Sequence, residues 1–233
     1  MFDSILASES VQEALRILQT EFPLAIWETF YVTILSTLFA SIIGLPLGVL
    51  VTVGGRDGIL PLPKWLTFLD VVINLLRSVP FLILMIMVIP LTRLIVGTPV
   101  GTVASIVPLT IAAFPFIARL VESSLREVSP NIIEAAQSMG ATPFQVIVKV
   151  LIPESVPSLI SNGTIAITTI LGYSAMSGII GGGGLGKIAI NYGYYRYKTL
   201  VMILAVILLI IMVQVFQSLG TYLVKKLDRR SFD

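Results

Sequence analysis

The run Gly181-Gly182-Gly183-Gly184-Leu185-Gly186-Lys187-Ile188 has the spacing G-x4-G-K that opens a phosphate-binding loop. It also fits G-x-G-x-x-G at Gly181, Gly183 and Gly186. Either motif works by aiming backbone N–H groups at phosphate, and each needs a preceding strand and a following soluble helix. Here a long apolar segment precedes the run, and Ile188 stands where Ser or Thr should hold Mg²⁺. The run therefore reads as a flexible backbone at the end of a membrane span, able to shift as a gate opens. A second group, Asp70, Asn74 and Arg77, falls at spacings of four and three on one helical face. Its charges suit an internal ion pair that fixes a bundle. The chain has no His and no Cys. That removes the commonest general base, the thiolate nucleophile and the usual metal ligands. No paired carboxylates replace them, so no catalytic residue and no metal ligand is assigned, and the chain is not expected to be an enzyme.

Such residues must be positioned by membrane spans. The 233 residues are 56% hydrophobic and 12% charged, with a mean hydropathy of +0.98, which is the composition of an all-α integral membrane protein. A net charge of +2 with no basic tract argues against nucleic acid. The first residues lack a basic region and carry Asp3, Glu9, Glu13 and Glu21, so they are not a cleavable signal. Residues 1–23 read as a surface helix, with Leu6, Val11, Leu15 and Leu18 as its apolar stripe. Five spans are expected, at about 24–53, 68–95, 100–121, 156–180 and 200–223, within one transmembrane domain, 1–233.

With the N-terminus outside, nine cations fall on inner segments: Arg56, Lys64, Arg119, Arg126, Lys149, Lys225, Lys226, Arg229 and Arg230. Five fall outside: Arg16, Arg93, Lys187, Arg196 and Lys198. The positive-inside rule then favours an outer N-terminus and a cytoplasmic C-terminus. Span five is nearly pure Ile, Leu, Val and Met and suits lipid. Span four is rich in Ser, Thr, Gly and Ala, which suits close packing or a polar path. Span one carries Thr29, Thr33, Thr37 and Ser41, then Gly44 and Gly48, a stripe read as helix packing.

Between spans three and four the chain is punctuated. Ser129-Pro130 opens a helix and Gly140 ends it; Thr142-Pro143-Phe144-Gln145 opens another, which should end before Pro153. This is helix, sharp turn, helix, on the cytoplasmic side.

Glu134-Ala135-Ala136, three residues, Gly140, nine residues, then Val150-Leu151-Ile152-Pro153 resembles the EAA signature of ATP-binding-cassette (ABC) importer permeases. Ile152 stands where Leu is usual. Asn74-Leu75-Leu76-Arg77-Ser78-Val79-Pro80-Phe81 resembles the R-S-x-P-F element of amino-acid permeases. Residues 108–122 and the stretch from Gly172 through the glycine run to Tyr197 resemble the methionine-importer members most closely. The resemblance implies a type I ABC importer fold of five transmembrane helices with a cytoplasmic coupling helix at 130–150. It implies a homodimer, two ABC ATPase subunits that hold ATP and Mg, an extracytoplasmic binding protein and a bacterial inner membrane, with no cofactor in this chain. The cargo implied is D- and L-methionine; another amino acid, a small osmolyte or a stand-alone secondary transporter are the alternatives.

The resemblance assigns ATPase coupling to Glu134, Ala135, Ala136, Met139, Gly140, Ala141 and Pro153. Candidate path residues are Arg77, Tyr173, Ser174 and Met176. Met176 offers a flexible thioether for a movable constriction, or simply packing. Gly183, Gly186, Tyr192, Tyr194 and Tyr195 form either an aromatic interfacial belt or a docking loop for the binding protein.

Overall fold

A chain this apolar must satisfy its backbone internally, and it does so with helices. The computed structural model describes residues 9–55, 58–60 and 65–227. Expectations on Leu6, Arg56, Lys64, Arg229 and Arg230 lie outside the described residues. In chain order the elements are α1 (Glu9–Thr20), α2 (Phe22–Gly54), α3 (Trp65–Ser78), α4 (Phe81–Met87), α5 (Ile89–Val96), α6 (Ile106–Arg126) and α7 (Pro130–Ser138). Then follow α8 (Pro143–Val146), a π turn (Ile147–Leu151), α9 (Ile152–Ser177), a 3-10 turn (Gly178–Ile180), α10 (Gly184–Ile188), a second π turn (Ala189–Tyr194) and α11 (Thr199–Leu227). No strand occurs among the described residues.

Phe22–Gly54, Ile106–Arg126, Pro143–Ile180 and Thr199–Leu227 are each long and apolar enough to cross a membrane. The stretch 68–95 departs from one continuous helix. Phe68–Ser78 and Phe81–Met87 meet at a bend of 106°. Pro80 causes it: the ring supplies no N–H and pushes Val79 out of helical geometry. The helix from Pro143 also does not stop before Pro153. Ile152 N–H donates to the Ile147 carbonyl, five residues back, and the chain runs on into α9. The wider π turn relieves the clash that a proline ring makes with the carbonyl one turn earlier.

The chain divides into two compact units. One gathers residues up to Thr37, Pro80–Thr110 and Ile167–Val215; the other holds Leu38–Val79, Ile111–Ala166 and residues from Phe216 on. In the first unit, Ala14 and Ile17 of α1 are buried with Phe22, Leu185, Ile188 and Val201. Leu15, expected on the apolar stripe, is instead exposed. The buried face is set by docking against α10 and α11 rather than by the stripe's most apolar residues.

In the second unit Val51, Ile73 and Ala118 form the core. Gly44 and Gly48 let α2 meet α6: a Cβ at Gly44 would stand 2.9 Å from the Phe114 carbonyl oxygen, and one at Gly48 2.6 Å from that of Ala118. The packing reading of this stripe holds. Gly220 allows the same close approach of α11 to Thr164 on α9. Only 11% of the apolar window of α11 is buried, as a lipid-facing helix requires.

Candidate functional site

The α7–α8 turn is built by two capping devices. Ser129 holds the N-cap position and Pro130 opens α7, although the Ser129 hydroxyl makes no cap bond. At the other end Gly140 takes φ 84°. Its N–H donates to the Gln137 carbonyl, and Ala141 N–H reaches the Ala136 carbonyl at 3.1 Å. This is a Schellman motif, and its left-handed residue favours glycine. Thr142 then makes a full capping box: its N–H donates to Gln145 Oε1 at 2.8 Å, and Gln145 N–H donates to Thr142 Oγ1 at 3.4 Å.

These caps fix which side chains face inward. Ala136 and Val146 are buried, whereas Glu134, Ala135 and Gly140 are exposed. Met139 is 82% exposed and Phe144 73% exposed. The turn thus carries two large apolar side chains with most of their surface exposed. Phe144 was not singled out by sequence; its signal was an aromatic directly after a helix-opening proline. Beside the turn lies a cleft of about 380 Å³ lined by Thr52, Arg126, Ile133, Glu134 and Gln137, among others.

Of the candidate path residues, Tyr173 stacks on Phe81 with ring centroids 4.3 Å apart and planes 6° apart. Ser174 is buried and its hydroxyl donates to the Leu171 carbonyl at 2.7 Å. Met176 is half-exposed on the same helix. Arg77, on α3 in the second unit, is exposed and makes no ion pair among the described residues. The partner expected for it, Asp70, is taken by Arg119, whose guanidinium stands 2.7 Å from Asp70 Oδ1. Arg119 also meets Glu122, and Glu122 meets Arg126 at 2.9 Å. Helical spacing aligned Asp70 with Arg77, but the neighbouring helix α6 supplied a closer cation.

The glycine run is not a flexible loop. Gly182, Gly184 and Gly186 are buried. A Cβ at Gly183 would overlap Thr102 Oγ1 and stand 2.6 Å from Glu28 Oε2; one at Gly186 would overlap the Ala175 carbonyl oxygen. Glu28 accepts from Gly184 N–H at 2.7 Å and from the Thr102 hydroxyl at 2.8 Å. Thr29 Oγ1 accepts from Leu185 N–H at 2.9 Å. The N–H groups of Gly184 and Leu185 are thus already engaged by side chains of α2. Of the tyrosines beyond the run, Tyr192 donates to Glu21 and lies under the Arg196 guanidinium, 4.7 Å from the ring centroid. Tyr194 and Tyr195 are exposed and meet edge to face at 5.4 Å.

Residues 44–230 match the family described as the binding-protein-dependent transport system inner membrane component. The chain belongs to that family. It is 49% identical over 206 residues to the probable D-methionine transport system permease protein MetI of Vibrio cholerae, covering 88% of this chain and 92% of that protein. It is 46% identical to the protein of the same description from Pasteurella multocida, covering 87% and 94%. A solved chain of the MetNI methionine ABC transporter, described as inward-facing, superposes with a TM-score of 0.87 at 43% identity. That match covers 95% of this chain and all of the other.

As a member of this inner-membrane permease family the chain is a transport subunit, not an enzyme, and its fold is that of type I ABC importers. Among the described residues no cluster of three or more His, Cys, Asp or Glu side chains could hold a metal. The alternating charges of Asp70, Arg119, Glu122 and Arg126 sum to zero, which lowers the cost of carrying them on helices α3 and α6.

Proposed function

We propose that this permease forms the membrane path of an ATP-driven methionine importer, taking D- and L-methionine from an extracytoplasmic binding protein. One observation carries the reading: a rigid, doubly capped turn presents Glu134, Met139 and Phe144 to solvent on a chain that has no machinery of its own for chemistry. Such a turn suits the groove of a separate engine. The resemblance of 49% over most of the chain to a D-methionine permease supports the cargo.

The working unit is a homodimer of this single-domain chain, 1–233, with two ABC ATPases that hold ATP and Mg, set in lipid. The N-terminus faces outward and the C-terminus the cytoplasm, in keeping with nine inner against five outer cations. Glu134, Ala135, Ala136, Met139, Gly140, Ala141 and Pro153 couple to the ATPase, joined by Phe144. ATP binding closes the ATPases and the turns move with them. The path then shifts between inward and outward populations, each ligand favouring the state it contacts better. Tyr173, Ser174 and Met176 border the path, and Arg77, which makes no ion pair among the described residues, meets the zwitterion. Tyr194 and Tyr195 offer the binding protein an exposed aromatic surface; Gly183 and Gly186, being packed, position that surface and Tyr192 anchors it.

The test is reconstitution of the permease with its ATPase and binding protein in proteoliposomes. ATP-dependent accumulation of labelled methionine is expected. Accumulation that persists without the ATPase subunit contradicts the reading and returns the chain to the secondary transporters.

A further inference from the structure

In the first unit a cavity of about 170 Å³ lies where the end of α1 and the first turns of α2 meet α10 and the second π turn. Among its lining residues are Glu21, Leu24 and Glu28 on one segment and Lys187, Asn191 and Tyr192 on the other. The two carboxylates are only partly engaged. Glu28 accepts from Gly184 N–H and from the Thr102 hydroxyl, and Glu21 accepts from Tyr192 on one oxygen. The Lys187 ammonium and the Asn191 amide make no side-chain hydrogen bond or ion pair among the described residues. Both signs of charge therefore line one cavity without meeting. Elsewhere in this unit such groups do meet: Lys198 pairs with Glu13, and Arg196 lies over the Tyr192 ring. Charges held apart across a gap suit a ligand that carries both signs and bridges them.

The cavity also borders an exposed apolar helix face. Leu24, on its wall, is 62% exposed, and Trp27, one turn further along α2, is 60% exposed. Residues three apart share a helical face, so the two form one strip that begins at the cavity. The Trp27 ring is steadied by Phe30, with centroids 6.0 Å apart, and by Tyr31 at 6.2 Å. Tryptophan at the start of a span sits at headgroup level, with acyl chains beside it.

We propose that this cavity binds the headgroup of a zwitterionic phospholipid with a primary ammonium, phosphatidylethanolamine, from the surrounding bilayer. The ammonium donates to the carboxylates of Glu21 and Glu28, and the phosphate takes Lys187 and the Asn191 amide. The acyl chains run along Leu24 and Trp27. A primary ammonium has three N–H donors for the two carboxylates. The choline group has none, and its three methyls crowd a cavity of this size. A glycerol headgroup brings no cation at all. The bound lipid ties the end of α1 to α10 across the gap. The site depends on the inner-membrane location of the family, and not on the cargo or on which end of the chain faces outward.

The test uses the detergent-purified complex of permease and ATPase, stripped of lipid. It is then given phosphatidylethanolamine, phosphatidylcholine or phosphatidylglycerol of equal chain length. Native mass spectrometry reads the lipid retained, and thermal unfolding reads the midpoint. Wild type is expected to hold phosphatidylethanolamine about three-fold tighter than the other two. Lys187→Met and Glu21→Gln are each expected to remove that preference. Gln keeps an acceptor for Tyr192, and Lys187 has no side-chain partner among the described residues, so the lipid-free midpoints should match wild type. If Lys187→Met does not assemble, Lys187→Gln carries the same expectation. Lys225→Met, at a lysine that does not line the cavity, leaves the preference in place. Equal retention of the three lipids by wild type, or a preference that survives both substitutions, overturns the proposal. Displacement of the bound lipid by millimolar L-methionine, which has neither phosphate nor acyl chain, overturns it too and gives the cavity to a free amino acid.

Discussion

Glu28 accepts a hydrogen bond from the backbone N–H of Gly184, 156 residues away, at 2.7 Å. With Thr102 on its other oxygen, the carboxylate ties α2, the turn before α6 and the start of α10 into one knot. An acid at this depth survives because its charge answers two donors. Glu28→Ala leaves both unpaired and is expected to cost about 2 kcal/mol. Thermal unfolding of the purified permease complex should show a lower midpoint than wild type. Glu28→Gln should fall between the two. A midpoint equal to wild type for Glu28→Ala would remove the knot from the account.

The glycine run makes a steric prediction. Gly186 is buried and a Cβ there meets backbone, the Ala175 carbonyl, which cannot swing aside. Gly186→Ala should destabilise the fold by about 3 kcal/mol. Gly163, with nothing within 4 Å of a Cβ, should accept alanine with little change. Yield of monodisperse protein and its unfolding midpoint read both. Equal behaviour of the two variants would restore the flexible-loop reading.

Glu122 sits between two cations, Arg119 and Arg126, with its side chain only 12% exposed. Glu122→Ala removes the shared anion and leaves Arg119 with Asp70 alone, an expected loss of about 3 kcal/mol. Glu122→Asp should recover part of it. Denaturant titration of the solubilised permease measures the difference, and a loss below half a kcal/mol would demote the network to ornament on the helix surface.

Tyr192 has a pH signature. Its hydrogen bond to Glu21 raises its pKa above the ordinary tyrosine value, with burial and the Glu21 charge adding to the effect and Arg196 opposing it. The folded state thus holds the phenol neutral more firmly than the unfolded chain does. The contribution is present below the ordinary tyrosine range and is lost as pH rises through the folded pKa. Ultraviolet titration should show the late-ionising fraction smaller by one tyrosine in Tyr192→Phe than in wild type. A late fraction unchanged by the substitution would contradict the assignment.

Local grammar was legible where it depends on neighbours in sequence. Thr142 and Gln145 are three residues apart, and Gly140 follows its helix directly, so cap chemistry predicts both ends of the turn. Apolar length marks the spans for the same reason. What hid were pairings chosen by tertiary packing. Asp70 prefers Arg119, 49 residues on, to Arg77 on its own face, because α6 passes nearer than the next helical turn. Glu28 was invisible as a cap, since its donor lies at the far end of the chain. The glycines looked mobile from composition, yet close approach is their other use, and only the neighbours in space distinguish the two. Pro153 looked like a helix end, but a π turn absorbed it.

The central claim is that the α7–α8 turn passes the ATPase's motion to the spans. The direct measurement is the ratio of methionine accumulated to ATP hydrolysed by the reconstituted complex carrying Glu134→Lys, with Gly140→Asn as companion. Asparagine tolerates the left-handed turn, so Gly140→Asn should keep the wild-type ratio. Glu134 is exposed and its reversal leaves the fold intact, so the chain should still insert and assemble as a dimer. Its ratio should fall by about ten-fold or more, with hydrolysis continuing unproductively. A Glu134→Lys complex that hydrolyses ATP and accumulates methionine at the wild-type ratio would contradict the account.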